Sequence, residues 1–114
     1  MSLQAEFFVE NLRKDKSGRL VAVGIPNSGR GVRVGDTFVM RYEVPRSLDD
    51  VLSERPLAQP INQRAVSLRV AAIDSMRTFV EELPLGVTGG LYLEGNGIEC
   101  LAKRTFLKTS DSES

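Results

Sequence analysis

Ala65-Val-Ser-Leu-Arg-Val-Ala-Ala-Ile-Asp74 is the stretch on which the fold turns. Val66, Leu68 and Val70, with Ala72 next in the series, fall on one side of an extended chain, and Ser67 and Arg69 on the other. A period of two marks a strand with one buried face, because successive side chains of a pleated strand point in opposite directions. The same grammar recurs upstream. Ala5-Glu6-Phe7-Phe8-Val9-Glu10 brings aromatic and β-branched residues that suit a pleated surface. Arg13 to Gly18 is a polar turn, and Arg19-Leu-Val-Ala-Val-Gly24 a second strand. In Ile25-Pro-Asn-Ser-Gly-Arg-Gly31 a proline fixes one φ while glycine and asparagine tolerate positive φ, so the chain reverses or bulges there. Gly35-Asp36 turns into a third long strand that runs to Tyr42.

Downstream the reading is less uniform. Met76, Phe79, Val80 and Leu83 are spaced as on a helix, which leaves a helical turn, a tight crossover and a strand all open. Val87 to Leu93 reads as a glycine-containing strand, Glu94 to Gly97 as a reversal and Ile98 to Leu107 as the last strand. The tail from Lys108 to Ser114 has no apolar residue and is expected to fray. Between Pro45 and Gln63 the pattern breaks: Ser47 would cap a short helix carrying Leu48, Val51 and Leu52, and Pro56 and Pro60 would end it. Six or so short strands with brief helical passages describe an all-β domain over residues 1–107, a closed or partly open barrel with an irregular insertion at 45–63. Closure also removes the exposed strand edges that invite aggregation.

Composition excludes more than it assigns. The 114 residues carry 15 basic and 15 acidic side chains, so no net field draws in nucleic acid or anionic lipid at long range. The charge is nonetheless uneven, with basic residues in excess up to residue 46 and acidic ones in excess from 47 to 99. No apolar run approaches the roughly 18 residues of a membrane span, and Met1 to Glu10 lacks the pattern of a signal peptide, so a cytosolic location is expected. Cys100 is the only cysteine, which precludes an intramolecular disulfide and a zinc site with paired cysteines. Histidine is absent, which removes the commonest general base and any Ser-His or Cys-His nucleophile. The carboxylates Asp49-Asp50 and Glu81-Glu82 are sequence neighbours that point apart, and no calcium-loop spacing occurs. We expect no catalysis, no cofactor and no metal.

Two stretches together resemble the second domain of the translational GTPases, the β-barrel that follows the nucleotide-binding domain in elongation factor Tu. The first runs from Phe7-Phe-Val-Glu-Asn11 through Ser17-Gly-Arg-Leu-Val-Ala-Val-Gly24 to Gly31-Val-Arg-Val-Gly-Asp-Thr-Phe38. The second is Phe79-Val-Glu-Glu-Leu-Pro-Leu-Gly-Val-Thr-Gly-Gly-Leu-Tyr-Leu-Glu-Gly95. The resemblance implies a Greek-key barrel of the domain 2 type, with Gly24, Gly35, Gly86 and Gly95 where strands turn or cross, and implies contact with aminoacyl-tRNA or the ribosome. No Gly-x-x-x-x-Gly-Lys-Ser/Thr loop accompanies it, so GTP binding is not expected.

Two candidate surfaces follow. Arg13, Lys14, Lys16, Arg19, Arg30 and Arg33 would form one phosphate- or RNA-binding patch if the first turns lie together, since arginine forks grip phosphate bidentately. Leu48, Leu52, Leu57 and Ile61 would form either a lid over one barrel end or a contact for another protein. A protein-binding module (accessory, regulator or immunity-type protein) is the first expectation, and an RNA- or ribosome-associated module the second.

Overall fold

The computed structural model describes residues 4–43 and 61–110. Nine strands are present among them: β1 (Ala5–Lys14), β2 (Leu20–Gly29), β3 (Val32–Arg33), β4 (Thr37–Glu43), β5 (Ile61–Ser75), β6 (Thr78–Val80), β7 (Glu82–Leu83), β8 (Gly89–Asn96) and β9 (Thr105–Thr109). Six of them close on themselves in the order β4-β9-β1-β2-β8-β5, and the β4–β5 pairing joins the two ends. Every pairing around the ring is antiparallel. β4, β5 and β8 neighbour one another in chain order and β9 returns to lie beside β4, which is the Greek-key arrangement. β6 extends β5 as a hairpin, and β3 pairs with β7 as a separate ribbon.

Alternation fills the interior. Ala5, Phe7 and Val9 of β1, Leu68 and Val70 of β5, and Leu107 of β9 are fully buried. The rings of Phe7 and Phe38 meet at 6.4 Å in the core. The β3–β7 ribbon sets Val32 opposite Leu83, and both pack into the same cluster. Phe8, in the same strand-like run as Phe7, faces the other way. It pairs with Phe106 across the β1–β9 ladder and touches its ring at 4.9 Å, on the side of the sheet opposite Phe7.

Bulges explain where the period of two breaks. Val70 pairs with Leu93 and Ala72 with Tyr92, leaving Ala71 as an extra residue in β5. The inward position therefore passes from Ala72 to Ile73, which is fully buried. β1 does the same at Glu10: Val9 pairs with Gly24 and Asn11 with Val23, and Leu12 rather than Asn11 packs against the core. The Pro26 region bulges at Asn27 instead of reversing, because Phe7 pairs with Pro26 and Glu6 with Ser28.

The four glycines of the resemblance answer two different demands. Gly35 and Gly86 occupy turns at φ 98° and 78°. At Gly24 and Gly95 a Cβ would collide with the backbone carbonyls of Phe8 and Ser67 on the neighbouring strands.

Other boundaries shift. Ile98–Cys100 is a 3-10 turn after Gly97, closed by Cys100 N–H to the Gly97 carbonyl at 2.8 Å, so the last strand starts only at Thr105. Lys108 and Thr109, placed by sequence in the tail, complete that strand: Lys108 pairs with Glu6, and Thr109 Oγ1 accepts a bond from Ala5 N–H at 2.9 Å. Residues 61–63 of the expected insertion belong to β5, and its remainder lies outside the described residues.

Candidate binding face

The six cations singled out by sequence are divided between the two ends of the β1–β2 hairpin. Lys14 pairs with Leu20 at one end and Ala5 with Gly29 at the other, separated by about 30 Å of strand at roughly 3.3 Å per residue. Arg13, Lys14, Lys16 and Arg19 gather at the first end, and Arg30 and Arg33 lie at the second. The latter two are engaged locally. Arg30 grips Asp36 bidentately at 2.8 and 2.9 Å, and Arg33 Nε lies 3.6 Å from Glu82. Leu48, Leu52 and Leu57 lie outside the described residues, and Ile61 opens β5 opposite Glu43.

Asp15 organises the first end. Its Oδ1 accepts bonds from the Ser17 hydroxyl at 2.7 Å and from the Ser17 and Arg19 N–H groups at 2.9 Å. The Ser17 hydroxyl, with backbone donation from Arg19 next, holds this carboxyl below its ordinary value. Arg19 is thereby fixed two residues ahead of Val21, on the same side of β2.

Register then assembles a strip on the outer face of the barrel. Val21 of β2 pairs with Tyr92 of β8, and Tyr92 with Ala72 of β5. In the next row Gly90 pairs with Asp74, and Asp74 with Phe79 of β6. The Tyr92 ring has the Arg19 guanidinium over it at 5.3 Å and the Phe79 ring against it at 5.9 Å, tilted by 55°. Arg13 lies along the notch left by Gly90 and meets Asp74 Oδ2 at 3.3 Å, bridging β1 to β5 over two intervening strands. The strip thus runs diagonally from the β1–β2 turn to the β5–β6 turn.

Sequence reasoning missed the second half of this strip. The spacing of Met76 and Phe79 leaves a helical turn, a crossover and a strand open, and the structure decides for strand: Ser75 pairs directly with Thr78 and closes a two-residue hairpin turn on Met76-Arg77. Such a turn needs left-handed residues at both central positions and is normally signalled by Asn-Gly. Here Met76 and Arg77 adopt φ 53° and 65° without either. Phe79 is 68% exposed and Met76 91%, whereas Tyr92 retains only 9%. A second aromatic group, Tyr42 stacked on Phe106 at 5.3 Å with Lys108 over it at 5.4 Å, lies on the β4–β9 side. Among the described residues no three His, Cys, Asp or Glu side chains converge as a cation site requires, and no helix is long and apolar enough to cross a membrane.

The closed six-stranded antiparallel Greek-key barrel is a fold of the elongation factor Tu domain 2 type. Among solved structures the chain is similar to translation elongation factor SelB from Methanococcus maripaludis in its apo form, with a TM-score of 0.62 and 18% identity over 96% of this chain. It spans 19% of the length of that protein. No family model and no curated protein matches the sequence.

Proposed function

We propose that this chain is a non-enzymatic binding module associated with translation, and that it holds a partner protein on the Arg19–Tyr92–Phe79 face. The barrel's likeness to part of a translation elongation factor supports the setting. The exposure of Met76 and Phe79 carries the choice of face. Exposed aromatic and sulfur-bearing side chains beside arginine have the composition of protein contact centres. The absence of histidine from the sequence supports a binding role over a catalytic one.

A second reading, an RNA- or ribosome-associated module, is favoured by one observation: Arg13, Lys14, Lys16 and Arg19 share one end of the hairpin. Capture from a cell extract with the purified chain as bait, with and without nuclease and across a salt series, separates the two. A single protein retained through nuclease supports the first reading. Material released by nuclease, with affinity falling steeply in salt as counterions are released, supports the second and overturns the first.

A further inference from the structure

Resting on the protein-binding reading, we infer that the partner contributes an acidic segment anchored by apolar side chains, seated along the strip from Arg19 to Arg77. Three observations fix that chemistry. The first is the turn itself. Met76 and Arg77 sit in left-handed conformations that glycine or asparagine would occupy at lower cost, so the sequence keeps two long side chains where the backbone disfavours them. Both are exposed, with Phe79 close behind in β6.

The second is charge. Asp15 is tied into its turn by Ser17 and Arg19, and Asp74 is paired with Arg13, which leaves Glu81, beyond Phe79, as the nearest acid in sequence with no such partner among the described residues. Among the described residues no ion pair takes up Lys16, in the β1–β2 turn, or Arg77. The apolar pair therefore has Arg77 in its own turn and Arg19 over Tyr92 at the far end of the strip, in a chain whose net charge is zero. Carboxylates placed against these cations complement them, and an apolar anchor between them covers Met76 and Phe79.

The third is the condition of the rings. A nucleobase stacks on an open ring face. Tyr92 has none to offer, since Arg19 lies over it and Phe79 against it, and Phe79 is left as a single exposed ring rather than a platform for successive bases. A thioether and a tilted phenyl ring instead suit a deformable apolar contact. These features favour a protein segment over single-stranded RNA.

The test titrates the isotope-labelled full chain, followed through its backbone amide resonances, with three probes. They are a short peptide alternating Asp or Glu with Leu and Phe, the same peptide with Asn and Gln in place of the acids, and oligouridine. The acidic peptide is expected to move the resonances of Arg19, Met76 to Val80 and Tyr92, and the amide counterpart to bind about tenfold more weakly, as the loss of a complementary charge contact implies. Lys16→Glu with Arg77→Glu is expected to remove the difference between the two peptides, and a preserved amide spectrum shows that the fold is intact. Equal binding of both peptides, no binding of the acidic one, or shifts elsewhere on the barrel overturn the inference. So does oligouridine moving those same resonances more strongly. If a captured partner is lost on Met76→Ser with Phe79→Ser yet unaffected by the two charge reversals, the protein-binding reading stands and the acidic partner falls.

Discussion

At residue 24 there is no room for a side chain. A Cβ there would collide with the carbonyl oxygen of Phe8, which belongs to the neighbouring strand and can yield only if the ladder moves. Gly24→Ala is expected to lower the unfolding free energy by on the order of 3 kcal/mol in urea denaturation, the scale of a steric insertion that shifts backbone. The Met76-Arg77 turn makes the opposite case. Replacing it by Asn-Gly puts glycine at one left-handed position and asparagine, which tolerates that region, at the other; an ordinary side chain there costs about 1–2 kcal/mol, so the variant is expected to be more stable while capturing less partner. Asp15 supplies a pH test. Its carboxyl is held below the ordinary 3.8, so the ordering it gives the β1–β2 turn is present at and above that pH. That ordering is lost as pH falls through the lower folded value. The Ser17 and Arg19 amide resonances are expected to titrate together with a midpoint below 3.8. The turn at Gly35-Asp36 was legible because its glycine announces the φ it needs. The Met76-Arg77 turn was not, because nothing in its residue types does.

Elements were legible wherever alternation ran unbroken, as from Val66 to Val70, and lost wherever a bulge intervened. The extra residue Ala71 moves the inward position from Ala72 to Ile73, and nothing in the run Val-Ala-Ala-Ile marks where the strand gains it. Deleting Ala71 lets Ala72 follow Val70 directly and still oppose Tyr92, so Ile73 is expected to stay inward and Asp74 beside Arg13. The predicted outcome is an Ile73 amide that stays protected from exchange and an Arg13–Asp74 pair that persists, whereas inserting a second alanine after Ala71 would turn Ile73 outward and lower the melting temperature. The last strand fails for a similar local reason. Its polar residues Lys108 and Thr109 read as tail, yet Thr109 is buried because its hydroxyl serves the Ala5 amide in a place where only the ladder's geometry could put it. Helical spacing from Met76 to Leu83 is a coincidence of two short strands and a turn, in which Leu83 alone is fully buried.

For the whole molecule, the barrel followed from strand count and its Greek-key order from the resemblance, but the binding face depended on contacts between residues far apart in sequence. Phe79, Tyr92 and Arg19 come together only through the β2–β8–β5–β6 registers. The single basic patch was likewise a matter of topology: the hairpin that carries Arg19 and Arg30 holds them at opposite ends. The measurement that tests the account most directly is parallel capture from nuclease-treated extract by the wild-type chain and by the Met76→Ser, Phe79→Ser double variant. Both substitutions are at exposed positions, so equal melting temperatures are expected. The wild type is expected to retain a protein and the variant to lose it. Equal capture by the two would contradict it and remove the strip from the site of binding.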